Sequence, residues 1–339
     1  MRSVQKEKKV CLLVVFFLLI SLFCLQESLA APYYEGKVIT LVCGTQPGGG
    51  YDSMSRLLAR YLPKHIPGKP TIIVDNMPGG SGLIAASHIY NVAKPDGLTF
   101  GTFNRGCTAA QLLKVEGVRF DMRKFSWIGS SAVESTVLCL RSDLPYKTIE
   151  DLRQIKDPVI LAGGAPSESS TQFPLLLKEY LKLNLKVIPY PSGSAGMLAI
   201  ERKEADGKAG SYGSLKTYIG RGVLRPVLRG REAEKGIENL PVNEDLTDNP
   251  LGKTVMAMLN AADKVGRPYV APPGTPAEQM NILREAFAKV AKDPELQENA
   301  KKVGMEVEYI PVDECMKVIN FVLNQPEDVV KEFGKFVKF

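Results

Sequence analysis

The chain has 339 residues, with 43 Lys and Arg against 37 Asp and Glu and a formal net charge of +6. That balance is only mildly basic, and no Lys/Arg cluster is interleaved with aromatics, which argues against a nucleic-acid surface. The length admits two domains of ordinary size. The two histidines, His65 in a turn and His88 on an amphipathic helix, read as surface or packing residues, so neither a metal nor a cofactor is expected.

The first thirty residues read as an export address. Arg2, Lys6, Lys8 and Lys9 precede an apolar run from Val10 to Leu25, and Ser28-Leu29-Ala30 supplies a small-x-small cleavage pattern. Residues 1–30 are therefore expected to be a signal peptide cleaved near Ala30/Ala31, which places the mature protein in the periplasm. An uncleaved anchor is disfavoured because the run is short and holds Ser21 and Cys24; Leu22-Phe23-Cys24 also lacks the small residues of a lipid-attachment site. The leader takes Cys11 and Cys24 with it, leaving Cys43, Cys107, Cys139 and Cys315 in an oxidising compartment. Disulfides are permitted there but not specified, since no C-x-x-C spacing occurs.

The mature chain then alternates strands and helices. Val38 to Cys43 is a strand, Gly44 to Gly50 a Gly/Pro loop, and Asp52 to Leu62 a helix whose apolar residues recur at Met54, Leu57, Leu58 and Tyr61. Thr71 to Val74 is the next strand and Pro78 to Gly82 a Gly-rich turn. Leu83 to Val92 is a helix, and Leu98 to Phe103 a strand after the Pro95-Asp96-Gly97 turn. The same grammar restarts after Arg141, with a Thr148-capped helix at 149–154, a strand at 159–162, a small-residue loop at 163–171 and a helix at 173–181. A strand at 186–190, the turn Pro191-Ser192-Gly193-Ser194 and a helix at 195–203 follow. Such alternation predicts an α/β architecture with largely parallel sheets. Beyond Pro272-Pro273-Gly274-Thr275-Pro276 come a helix through Met280, Leu283, Phe287 and Val290, a strand at 307–310, and helices at 312–323 and 327–336. These need a surface to cover, so the chain is expected to return to its first half. The division is then 31–140 plus 268–339 for lobe 1 and 141–267 for lobe 2, hinged by two crossing strands.

Small-residue loops at 46–52, 163–171, 191–194 and 211–214 stand where strands hand over to helices. Unpaired helix N-terminal N–H groups converge at such places and favour an anion. Asp52 reads as an N-cap of the first helix. Gly48-Gly49-Gly50-Tyr51-Asp52 with Asp75 downstream invites a dinucleotide reading, but Ser53 stands where the third glycine is required. No H-E-x-x-H, G-x-S-x-G or Walker pattern is present. Binding is therefore favoured over catalysis. The rivals are an exported enzyme using Asp52 or Glu168 as base on a small acid, and a sensor feeding a signalling partner.

Four segments together resemble the extracytoplasmic solute receptors of tripartite tricarboxylate transporters, the Bug receptors: Pro47-Gly48-Gly49-Gly50-Tyr51-Asp52, Asn76-Met77-Pro78-Gly79-Gly80-Ser81-Gly82, Pro95-Asp96-Gly97 and Ala271-Pro272-Pro273-Gly274-Thr275-Pro276. The resemblance implies a type II periplasmic-binding fold and a monomer that closes on a small organic acid or amino acid and delivers it to the transporter's membrane subunits. It implies ligand contacts at Gln46, Gly49, Gly50, Tyr51 and Asp52, then at Phe103, Asn104 and Arg105. In the second lobe the implied contacts are Ser167, Glu168, Ser169, Ser170, Ser192, Gly193, Ser194, Ser211 and Tyr212. Glu168 departs from the hydroxyl residue usual there, which keeps an amino-acid ligand open; the planar fork of Arg105 is the expected anion partner.

Overall fold

A computed structural model describes residues 31–339; the expected leader lies outside the described residues. The first half runs β1 (Val38–Cys43), α1 (Gly50–Tyr61), β2 (Thr71–Asn76), α2 (Leu83–Asn91), β3 (Thr99–Thr102), α3 (Cys107–Leu112) and β4 (Ser126–Ser130). Next come β5 (Thr136–Arg141), α4 (Ile149–Gln154), β6 (Val159–Gly163), α5 (Ser169–Tyr180), β7 (Leu185–Pro189), α6 (Gly193–Glu201), β8 (Gly207–Ser211), α7 (Tyr212–Gly220), β9 (Leu224–Arg229) and α8 (Pro250–Lys264). The chain ends with β10 (Pro268–Ala271), α9 (Ala277–Val290), α10 (Pro294–Lys302), α11 (Val312–Leu323) and α12 (Glu327–Phe336). Among the described residues no helix is long and apolar enough to cross a membrane.

Two five-stranded sheets result, ordered β2-β1-β3-β10-β4 and β7-β6-β8-β5-β9. β1 pairs parallel with β2 and β3, and β6 parallel with β7 and β8. β10 and β5 run antiparallel to both of their neighbours. Each of these two strands is the first one laid down after the chain changes sheets, so each arrives from the opposite direction. The interior strand β1 is β-branched and apolar almost throughout because helices cover both faces. Ile39, Leu41, Met54 and Leu58 are fully buried on one side with Leu283 and Phe287 of α9. Thr148 caps α4 reciprocally: its hydroxyl accepts from Asp151 N–H at 3.1 Å and its own N–H donates to the Asp151 carboxylate at 3.0 Å.

Three expectations need correction. The strand expected at 307–310 is a single bridge between Ile310 and Ser130. Helix α5 starts at Ser169, four residues before the apolar pattern, because its first turn faces a cleft and carries hydroxyls in place of core residues. Helix α12, assigned with 268–339 to the first lobe, buries Val329 and Phe333 in the hydrophobic cluster of the second sheet, and β5 lies wholly in that sheet. All four described cysteines are buried and free, and Trp127 is core.

The chain crosses between sheets at 131–135 and again at 264–267. The two crossings hydrogen-bond to each other: Ser131 N–H to Arg267 C=O at 3.0 Å, Glu134 N–H to Asp263 C=O at 2.9 Å and Gly266 N–H to Ala132 C=O at 3.1 Å. This paired ribbon is the hinge that the topology requires.

Candidate functional site

Between the sheets lies a cavity of about 360 Å³. Its first-lobe wall holds Tyr51, Asn104 and Arg105; its second-lobe wall holds Ser167, Glu168, Ser169, Ser170, Gly193 and Ser211. A second cavity of about 470 Å³ adjoins it, sharing Tyr51, Glu134, Ser211 and Ser214 and adding Gly50, Lys216, Glu234 and Glu306. The lobes touch across the mouth, where Ser81 Oγ donates to Ser167 Oγ at 3.0 Å and Lys216 pairs with Glu306 at 2.9 Å. Ser81 reaches that position from a loop in which residues 79–82 all have positive φ, including Ser81 itself at 53°. Three of those four residues are glycines, which makes the conformation accessible.

The helix starts explain the donor set. The first N–H groups of a helix have no intrahelical acceptor. At α6, Ser192 accepts from Ala195 N–H at 3.1 Å with its hydroxyl and from Gly196 N–H with its carbonyl, leaving the N–H groups of Gly193 and Ser194 free. At α5, Glu168 C=O takes the N–H groups of Thr171 and Gln172, leaving those of Ser169 and Ser170. Gly50 begins α1 on the opposite wall. Two second-lobe helix N-termini thus face one hollow, with the start of α1 lining the cavity beside it, an arrangement that attracts negative charge.

Several expected contacts take other roles. Asp52 is not the N-cap, which is Gly49; it sits in the first turn of α1 and is almost completely buried. Its carboxylate accepts from Gly48 N–H at 2.8 Å, Arg56 at 3.0 Å and Asn76 at 2.9 Å. Burial pushes that carboxyl up, but these three donors outweigh it and hold it below the usual range, which removes Asp52 as a base. Phe103 is fully buried in the core beside Phe120 and Phe125, and Tyr212 packs against Val137 and Ile200; neither lines the cavity. Gln46, Gly49, Ser192 and Ser194 are exposed on the flanking loops.

Arg105 is not a free anion partner. Its guanidinium pairs with Glu134 at 2.9 Å and Asp263 at 2.8 Å, and Arg267 pairs with the other Glu134 oxygen at 2.9 Å. Burial raises the Glu134 carboxyl, but the two guanidiniums overcome this and keep it low. The four charges cancel, and they tie the first lobe to both crossings, since Glu134 belongs to one and Asp263 and Arg267 flank the other. Tyr51 completes the joint, donating to Gly266 C=O at 2.9 Å and accepting from Arg105 N–H at 3.0 Å. Glu134, Asp263, Arg267 and Lys208 were not legible as site residues, since no motif joins positions so far apart.

A family model described as the tripartite tricarboxylate transporter family receptor matches residues 55–335. The chain belongs to that family. A receptor-family fold is also what the solved structures show: a TctC solute-binding protein from Polaromonas superposes with a TM-score of 0.70 at 20% identity, over 90% of this chain and 99% of its own. A structure of Rhodopseudomonas palustris Rpa4515 with adipate superposes at 0.65 with 21% identity, over 88% and 98% of the two chains. Among curated relatives, a UPF0065 protein of Bordetella pertussis is 27% identical over 323 residues, covering 93% of this chain and 95% of the relative. The receptor is thus an extracytoplasmic ligand-binding protein of the type II periplasmic-binding fold. Among the described residues no group of three or more His, Cys, Asp or Glu side chains is placed to hold a metal ion.

Proposed function

We propose that this receptor is exported with loss of residues 1–30, captures a small carboxylate in the interlobe cleft, and presents the closed form to the membrane subunits of a tripartite tricarboxylate transporter. The observation that carries this reading is the convergence of the α5 and α6 N-termini, with free N–H groups, on one cavity, while α1 starts at the cavity adjoining it. A structural relative holding adipate supports a carboxylate as the solute. We take Asn104, Ser167, Ser169, Ser170, Gly193 and Ser211 as the contacts, with Tyr51 and Arg105 shaping the floor. The lobes are proposed to divide with the sheets, at the 131–135 and 264–267 crossings, with α12 on the second lobe. Closure is a hinge motion that a ligand favours by bridging both donor sets.

A thermal-shift panel of di- and tricarboxylates, amino acids, aromatic acids, sugars and nucleotides tests this. A ligand at a hundred times its Kd stabilises by about 2.7 kcal/mol, so a selective rise in Tm with an acid is expected, and S169A is expected to shrink that rise. A rise with sugars or nucleotides alone overturns the carboxylate assignment.

A further inference from the structure

Lys208 lies on β8 and lines the cavity. Its ammonium is 3.8 Å from the point a Cβ would occupy on Gly193, the first residue of α6. A cation is therefore set against the positive end of a helix dipole, the wrong sign for a purely structural lysine. The one carboxylate near enough to act on it is Glu168, and the two make no ion pair within 4.0 Å. Glu168 is turned back onto its own loop, where it accepts from Ala165 N–H and Ser170 Oγ, each at 3.3 Å. Burial, the largest influence on Lys208, lowers its affinity for its proton below the usual lysine range. The other cations around the cleft floor are already spoken for: Arg105 and Arg267 are neutralised by Glu134 and Asp263. An anion placed between Lys208 and the free N–H groups of Gly193 and Ser194 satisfies the ammonium and the helix end together.

We propose that Lys208 is the specificity-determining residue of the cleft, its ammonium and the α6 N-terminus together selecting solutes that bring a carboxylate to the second lobe, so that an acid is preferred to its fully amidated analogue. This rests on the cleft being the solute site. The first-lobe wall, with its uncharged donor from Asn104, takes the other end of the molecule. Glu168 sets the limit on the same wall: its fixed negative charge confines the solute's anion to the Lys208 side.

The test is calorimetric titration of wild type, K208M and K208R with succinate, glutarate and adipate, each beside its half-amide and its diamide, and with butyrate. For at least one of these solutes, wild type is expected to bind the diacid and its half-amide roughly ten- to a hundredfold more tightly than the diamide, the range of a charge-assisted hydrogen bond. K208M is expected to lose that preference by weakening the diacid and the half-amide together, and K208R to restore part of it. Titration in two buffers of different ionisation enthalpy is expected to show proton uptake on diacid binding above neutral pH, absent in K208M. A diacid and half-amide that bind K208M as tightly as wild type overturn the role of Lys208 and leave the carboxylate receptor intact. A K208M effect that vanishes in an E168Q background would reduce Lys208 to a counter-charge for Glu168 and also overturn it. Failure of wild type to bind any of these acids, with binding of an uncharged solute instead, overturns the carboxylate reading and this inference together.

Discussion

Arg105 is the residue on which sequence and structure differ most. A planar guanidinium beside a Gly/Ser-rich cleft looks like a ligand for a carboxylate, and the protein has filled its fork with two of its own. Replacing it with methionine leaves Asp263 without its guanidinium in a buried joint and Glu134 with Arg267 alone, and removing one partner of such a pair costs about 3–5 kcal/mol. Chemical denaturation of R105M is expected to show a loss of that order. Lys208 behaves in the opposite way: its ammonium lacks a partner, and its proton affinity is lowered by burial. The unfolded chain then binds the extra proton between the lowered value and the ordinary 10.5, so this lysine opposes folding below that window and ceases to as pH rises through it. K208M without ligand is accordingly expected to melt no lower than wild type at pH 7.

At the scale of elements, the loops were legible and the partners across them were not. Glycine and serine at 163–171 and 191–194 announce helix starts because short side chains and orphan N–H groups go together there, and the structure puts α5 and α6 at those places. β8 left no such trace: Gly-Lys-Ala-Gly-Ser has neither a β-branched run nor clean alternation, because Gly207 is required where a Cβ would come within 2.1 Å of Cys139 C=O. Its lysine consequently went unnoticed. The destination of α12 was also hidden, since an apolar stripe says that a helix is covered without saying by what. Packing of α9 makes a sharper expectation. Phe287 is buried against Tyr269 at a ring separation of 4.9 Å, and F287A is expected to cost about 3–5 kcal/mol by urea melts, with ligand selectivity unchanged.

For the molecule as a whole, one contact that joins the lobes away from the hinge is set among acids. Lys216 bridges to Glu306, with Glu234 nearby and its carboxyl pushed up to about 7 by burial first and then by Glu306 and Glu134. The folded state therefore holds a proton that the unfolded chain releases near 4.5. The stability linked to this proton is fully present below that value and is lost as pH rises through 7. Tm is expected to fall between pH 5 and pH 8, and E234Q to flatten that fall; an equally steep decline in E234Q would assign it to other groups.

The position of β10 sets the order in which this chain can mature. Residues 268–271 occupy the slot between β3 and β4, and a strand missing from the middle of a sheet leaves its neighbours about 10 Å apart. Until the whole of the second sheet has been synthesised, the first is two unjoined pieces with unpaired edges. The amino-terminal half is thereby kept from completing its core early, and the last helices to emerge are the ones that close both.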